Sequence, residues 1–195
     1  MIRLFTALCK SLFDSLTDET IFLKATEDFS HHASECPNCA AIGKLVPYGK
    51  YSRSLTSYED GSIKDRRICP FQLKCKSCKK THAILPDILI PYSPYSLRFM
   101  LTVLIAYFER ETTVVAICEH FCIAVSTLYA WKQCLLEHKE LMIGVLLSKK
   151  EPALAFLKGL FESMALSDRI QDFFQRYAFS FLQHQSIMKT CSRPP

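Results

Sequence analysis

Glycine is scarce, 5 in 195 residues, and the scarcity excludes several chemistries at once. Nothing in the chain matches a phosphate-cradling glycine loop or the strand–turn–helix elbow that exposes a hydrolase nucleophile. With 49% hydrophobic and 22% charged residues, the composition suits a folded, mainly helical protein rather than a disordered one. Long apolar runs are missing too. None reaches the roughly 18 residues needed to span a bilayer, and the longest, Phe99 to Phe108, is interrupted by Thr102. The N-terminal MIRLFTALCKSLFDSL does not read as a secretory signal, because Lys10 and Asp14 break its apolar region and no small-residue cleavage site follows. An amphipathic helix is expected there, with Ile2, Phe5, Cys9, Leu12, Phe13 and Leu16 on one face. These absences point to a cytoplasmic protein with no membrane partner.

Cysteine, by contrast, is plentiful, with ten in the chain. In a reducing compartment paired cysteines bind metal more readily than they form a disulfide framework. Two pairs stand out: Cys36 and Cys39 in CPNC, and Cys75 and Cys78 in CKSC. Each two-residue spacing makes a tight turn with both sulfurs on one side, and four thiolates can surround a zinc ion at about 2.3 Å. The spacer contains LVPYGKYSRSLTSY and IKDRRICPFQLKC, rich in aromatic and branched residues, on either side of the turn signal Glu59-Asp60-Gly61. A β-hairpin closed at its base by one structural Zn²⁺, a zinc ribbon, is the expectation. Ala40 and Lys79 stand where knuckles often carry glycine. Cys69, expected as a buried strand thiol, and His82, expected as a packing or hydrogen-bonding residue, are alternative ligands. Iron in a rubredoxin-like site is an alternative to zinc. Four protein ligands leave no open position for water or substrate, so the site is structural rather than catalytic.

Positive charge is concentrated on this segment. Residues 36 to 82 hold ten Lys/Arg against Glu59, Asp60 and Asp65, a net +7, while the whole chain is +5. Interleaved with Tyr48, Tyr51, Tyr58 and Phe71, such a surface suits phosphate backbones. The backbone contacts expected are Lys50, Arg53, Arg66, Arg67, Lys74, Lys76, Lys79 and Lys80.

The three prolines of ILPDILIPYSPYS predict an ordered linker without regular structure. From Ser96, LRFMLTVLIAYFER is apolar on most faces and predicts a central core helix. A short helix over about 113 to 121 follows, with Val114, Ile117, Cys118 and Phe121 inward. After a turn at Cys122 to Ala124 comes a helix from Val125 to about His138, with Leu128, Trp131 and Leu135 inward. Two helices joined in this way make a helix-turn-helix.

ICEHFCIAVSTLYAWK resembles the helix-turn-helix of insertion-sequence transposases. Together with CPNC, CKSC and THAILPDILIPYSPYS, the arrangement resembles a bacterial family of unknown function with a transposase-like zinc ribbon and helix-turn-helix. The resemblance covers roughly residues 36 to 139. It implies DNA binding, with Val125, Ser126, Thr127, Tyr129 and Lys132 facing the groove. Two positions depart from the pattern: Cys122 where the turn usually has glycine, and Ala124 where a hydroxyl usually caps the second helix. Residues 111 to 134 hold two acids and one lysine, so phosphate contacts fall to the ribbon.

EPALAFLKGLFESMALSDRIQDFFQRYAFSFLQ predicts two further helices, the first opening near Pro152 and the second at Ser167. Glu151, Glu162, Asp168 and Asp172 lie in these short helices, with no strand-rich scaffold to converge them on the metal ions a transposase active site needs. Cys118 and His120 are two apart on a helix and do not face together. No enzyme activity and no small-molecule substrate are expected.

The fold class read from the sequence is α+β, mainly α: a small zinc-ribbon β-hairpin followed by a helical helix-turn-helix domain. Its parts are an N-terminal helical segment (1–35), the ribbon (36–83), a proline-rich linker (84–95), the helix-turn-helix domain (96–139), C-terminal helices (140–186) and a tail (187–195). The expected partner is DNA, with a second copy of the chain or a separate transposase subunit beside it. A zinc-stabilised protein-interaction module and an RNA binder are the alternatives.

Overall fold

A computed structural model describes residues 1–6, 14–27, 29–30, 34–161 and 166–184. In chain order its elements are β1 (Ile2–Leu4), α1 (Asp18–Glu27), β2 (Leu45–Lys50), β3 (Arg53–Glu59), β4 (Ser62–Ile68), β5 (Phe71–Cys75), β6 (Thr81–Pro86), α2 (Leu97–Glu109), α3 (Val114–His120), α4 (Val125–Ile143), α5 (Val145–Lys150), α6 (Ala153–Phe161) and α7 (Leu166–Tyr177). The class is mixed α+β, as expected.

The turn at Asp60-Gly61 sets the hairpin. Both residues have positive φ, 50° and 71°, the backbone of a two-residue turn whose twist matches the strands it joins. β3 and β4 pair from Glu59↔Ser62 out to Arg53↔Ile68. Past that point the same two chain arms continue as β2 and β5, antiparallel, with an irregularity between Pro47 and Gly49, down to Leu45↔Cys75. The hairpin is therefore one long ribbon in two stretches, and its base lies at the cysteines. β6 adds to β5, and β1 lies parallel beside β6, giving the sheet order β1-β6-β5-β2.

Two expectations change here. Residues 2–4 form a strand paired as Ile2↔Ile84 through Leu4↔Pro86 rather than opening a helix. Their alternation puts Ile2 and Leu4 against the small core around Cys36, Leu45, Leu73, Cys75 and Ile84. Cys9, Leu12 and Phe13 lie outside the described residues. The segment 84–95 is not a linker, since its first residues complete β6, and Ile88, Leu89 and Ile90 are among the most buried of the chain. Pro86 ends the strand, where the missing N–H removes no interior ladder bond.

The larger core gathers around α2. Ser96 caps it by accepting the Phe99 N–H at 3.0 Å, and the helix buries Leu97 through Leu101, Val103 and Leu104. α3 and α4 lie across it at 103° to each other, burying Ile117, Cys118, Phe121, Leu128, Trp131 and Leu135. α4 runs five residues past His138. α6 and α7 close the other side, with Phe156, Phe173, Phe179 and Phe181 inside. The Glu162 position and the 187–195 tail lie outside the described residues. α5, not foreseen, is held by Lys139, whose ammonium donates to the carbonyls of Ser148 (2.8 Å) and Glu151.

A buried ionic network locks the ribbon to this body. Arg98 of α2 meets Asp18 of α1 at 2.9 Å and Glu59 of β3 at 3.7 Å, while Arg66 of β4 meets Glu59 at 2.8 Å and Glu19 at 3.1 Å. Burial pushes the Asp18 carboxyl up to about 6 despite Arg98. Glu59 goes the other way: burial raises it, but its hydrogen bonds from Arg66, Ser57 and the Asp18 N–H outweigh this and hold it low. Tyr58 adds a hydrogen bond to His120 at 3.0 Å and an edge contact with Phe121. Among the described residues no single helix is long and apolar enough to cross a membrane.

Candidate metal centre and nucleic-acid interface

The two cysteine pairs sit in turns with the same hydrogen bonds. In the first, Cys36 N–H donates to Ala41 O and Ala40 N–H to Cys36 O, at 3.1 and 2.9 Å. In the second, Cys75 N–H donates to Lys80 O and Lys79 N–H to Cys75 O, both at 2.9 Å. The residue after each second cysteine, Ala40 or Lys79, has φ 57° or 64°, the left-handed backbone that usually recruits glycine. The four sulfurs lie within 4.8 Å of one another. Cys36–Cys78 and Cys39–Cys75 are each 3.7 Å apart. Four sulfurs about 2.3 Å from a central tetrahedral ion stand about 3.8 Å apart, so the donor set fits a metal ion of that size.

The electrostatics fit as well. The backbone N–H groups of Cys78 and Ser77 aim at Cys75 and lower its pKa to about 6. At Cys39 the Ala41 N–H pulls down, but burial and the neighbouring thiols outweigh it and push the group up to about 12. Four thiols this close ionise together only around a cation. With all four positions filled by protein, a bound metal there has no open coordination site.

His82 packs beside the cluster rather than in it. Its Nε2 lies 3.3 Å from Cys36 Sγ, and the Met1 amine lies 3.3 Å from Nδ1. With the amine protonated it can only donate, and in that state Nδ1 accepts and Nε2–H points at the sulfur. Burial, then the Met1 charge, lowers the imidazole pKa. Cys69 is exposed just past the end of β4, which corrects the reading of it as a buried strand thiol; its sulfur is not in the cluster.

Among the ribbon cations, Lys50, Arg67, Lys76, Lys79 and Lys80 are exposed and Lys74 half-buried. Lys50 lies over the Phe71 ring at 4.4 Å and Lys74 over Tyr48 at 5.1 Å. Two of the expected backbone contacts are committed elsewhere. Arg66 belongs to the buried network. Arg53 Nη2 donates to the carbonyls of Ile90 and Ser93, and burial lowers its pKa. Both arginines face inward because β3 and β4 turn one side to the helical body.

On α4, Val125, Ser126 and Tyr129 are exposed, Thr127 and Lys132 half-buried. Lys132 lies 5.5 Å from the Tyr107 ring and 5.6 Å from that of Tyr129. The turn before it has Cys122 at φ 49°, and Ala124 gives the helix no side-chain cap.

A DUF6431 domain, a domain of unknown function, covers residues 36–131. The DUF6431 domain thus begins on the first cysteine of the cluster, takes in both turns and all of β2 to β6, and ends inside α4. No curated protein and no solved structure matches the chain. Sequence reasoning missed the cleft beside the ribbon's sheet, lined by Gln72, Thr81 and Tyr92 among others. The Pro91-Tyr92 step in a turn was its one visible signal.

Proposed function

We propose that the chain is a zinc-dependent DNA-binding protein, related to the DNA-binding portions of transposases and non-catalytic by itself. The observation that carries this reading is the 103° crossing of α3 and α4 with the first turn of α4 left open to solvent. Helices joined at about 90–120° place the second in a major groove, its N-terminal residues toward base edges. In this reading Val125, Ser126, Thr127, Tyr129 and Lys132 probe the bases. The zinc ion, held by Cys36, Cys39, Cys75 and Cys78, is structural: it fixes the base of the ribbon. Lys50, Arg67, Lys74, Lys76, Lys79 and Lys80 then present charge to phosphates, with Arg53 and Arg66 removed from that set.

The test is duplex DNA binding across a salt series. Replacing Lys76, Lys79 and Lys80 by alanine flattens the log–log salt dependence by about 0.9 for each phosphate no longer neutralised. Ser126→Ala and Tyr129→Ala weaken binding while leaving that slope alone. Binding indifferent to salt, or a lysine variant with the wild-type slope, contradicts the proposal. A second reading, a metal-stabilised protein-interaction module, is favoured by exposed Val145, Leu146 and Leu147 on α5. It gains if no salt-sensitive DNA binding is found.

A further inference from the structure

The turn over residues 90–93 holds a residue ill suited to it. Ser93 N–H donates to Ile90 O at 3.2 Å, with Pro91 second and Tyr92 third, at φ 62°. A positive φ at that third position normally falls to glycine or asparagine, because a Cβ crowds the following carbonyl. Burial does not compensate, since Tyr92 is 69% exposed. Strained backbone that gains so little packing from its own chain points to a contact with something else.

The turn is nevertheless firmly held. Arg53 donates to both of its end carbonyls, Ile90 and Ser93. Tyr95 N–H donates to Ser93 Oγ at 3.2 Å, and Arg3 Nη1 to Leu89 O at 2.8 Å. Opposite lies the side of the four-stranded sheet turned away from the cysteine cluster. Between turn and sheet is an open cleft of about 620 Å³, within the roughly 300–1,000 Å³ of small-ligand sites. Gln72 and Thr81 line it, with Ala83 and Leu85. Cations flank it: Lys74 is register partner to Thr81, and Arg67 Nη1 donates to Ser52 Oγ, part of the wall, at 3.2 Å.

We propose that this cleft binds an unpaired nucleobase, stacked on Tyr92, hydrogen-bonded by Gln72 and Thr81, with Lys74 and Arg67 on the adjoining phosphates. The proposal rests on the nucleic-acid reading above and extends it from duplex to single strand. Any base offers a π-face to an aromatic ring. The Gln72 amide supplies donor and acceptor together, as a base edge requires. A base inside a duplex is stacked on both faces and cannot enter, so the ligand is a single strand or a flipped nucleotide.

The experiment is fluorescence anisotropy with a short labelled single strand, in deoxyribo and ribo forms, and with a duplex of the same sequence. Wild type, Tyr92→Gly, Tyr92→Phe and Gln72→Ala are compared, and each is melted alongside. Tyr92→Gly removes the platform and relieves the backbone, so it binds the single strand about tenfold more weakly yet melts higher. Its duplex affinity stays within about twofold, Tyr92→Phe keeps wild-type affinity, and Gln72→Ala loses single-strand affinity alone. A general folding defect would lower melting and binding together. Whichever sugar binds more tightly identifies the natural strand. A Tyr92→Gly protein with full single-strand affinity overturns the cleft and leaves the duplex reading standing. A wild type that binds neither form overturns both.

Discussion

Ala40 and Lys79 show how a local rule can be broken without losing the structure it serves. Each sits at the left-handed position of a cysteine turn, where an L-residue costs about 1–2 kcal/mol. The four-sulfur cluster and the small core behind it hold both turns in place. Ala40→Gly relieves that strain but adds freedom to the unfolded chain, so the expected net gain is about 0.5–1 kcal/mol. Chemical denaturation of the metal-loaded protein checks it, and a loss of stability counts against the strain argument. The cysteines were legible because their spacing is chemistry written locally. His82 was legible as a hydrogen-bonding neighbour, but its contact with Cys36, 46 residues away, depends on the two cysteine turns coming together, which no short-range pattern encodes. Cys69 misled for the converse reason: it follows a strand pattern, yet the strand ends one residue earlier.

Elements with strong local signals were readable to within a few residues. Asp60-Gly61 placed the hairpin turn, and Ser96 and Arg110 bracket α2 as its cap residues. β1 was missed because its partner β6 lies some eighty residues away in sequence, and β6 because the prolines of the segment that it opens masked the extended run. α5 was missed because its apolar residues stay exposed and form no inward stripe. α4 begins without a side-chain cap, although Ala124 already has the extended backbone of a capping residue, φ −72° and ψ 146°. Ala124→Ser is therefore expected to stabilise the protein by about 1 kcal/mol with duplex affinity unchanged. Thermal melting measures the first effect and titration the second; an unchanged melting temperature contradicts the account of the cap.

Across the whole molecule, the buried network around Arg98 and a buried carboxyl, Asp87, each join parts that lie far apart in sequence. Removing one partner of a buried pair strands the other, so Arg98→Met is expected to cost about 3–5 kcal/mol in denaturant unfolding. Asp87 ties the N-terminal strand to α7. It accepts from Thr6 N–H (3.1 Å), Thr6 Oγ1 (2.7 Å) and Ser167 Oγ (3.1 Å), and burial raises its pKa from the ordinary 3.8 to about 6. Between those values the folded state holds the proton more tightly than the unfolded one, so this group's contribution to stability falls as pH rises from about 4 to 6. Asp87→Asn cannot titrate. Its deficit relative to wild type therefore shrinks across that window, by up to about 3 kcal/mol, and a deficit independent of pH counts against the assignment. Because both proteins keep the same four thiols, metal release cancels from this comparison.

The most direct measurement is metal content beside salt-dependent duplex binding, on wild type and on a chain carrying Cys75→Ser and Cys78→Ser. One zinc per chain and salt-sensitive binding, both lost in the variant, is the predicted result. A wild type that binds DNA with no metal, or a variant that keeps full DNA affinity after losing it, would contradict the claim that the metal-closed ribbon is the DNA grip.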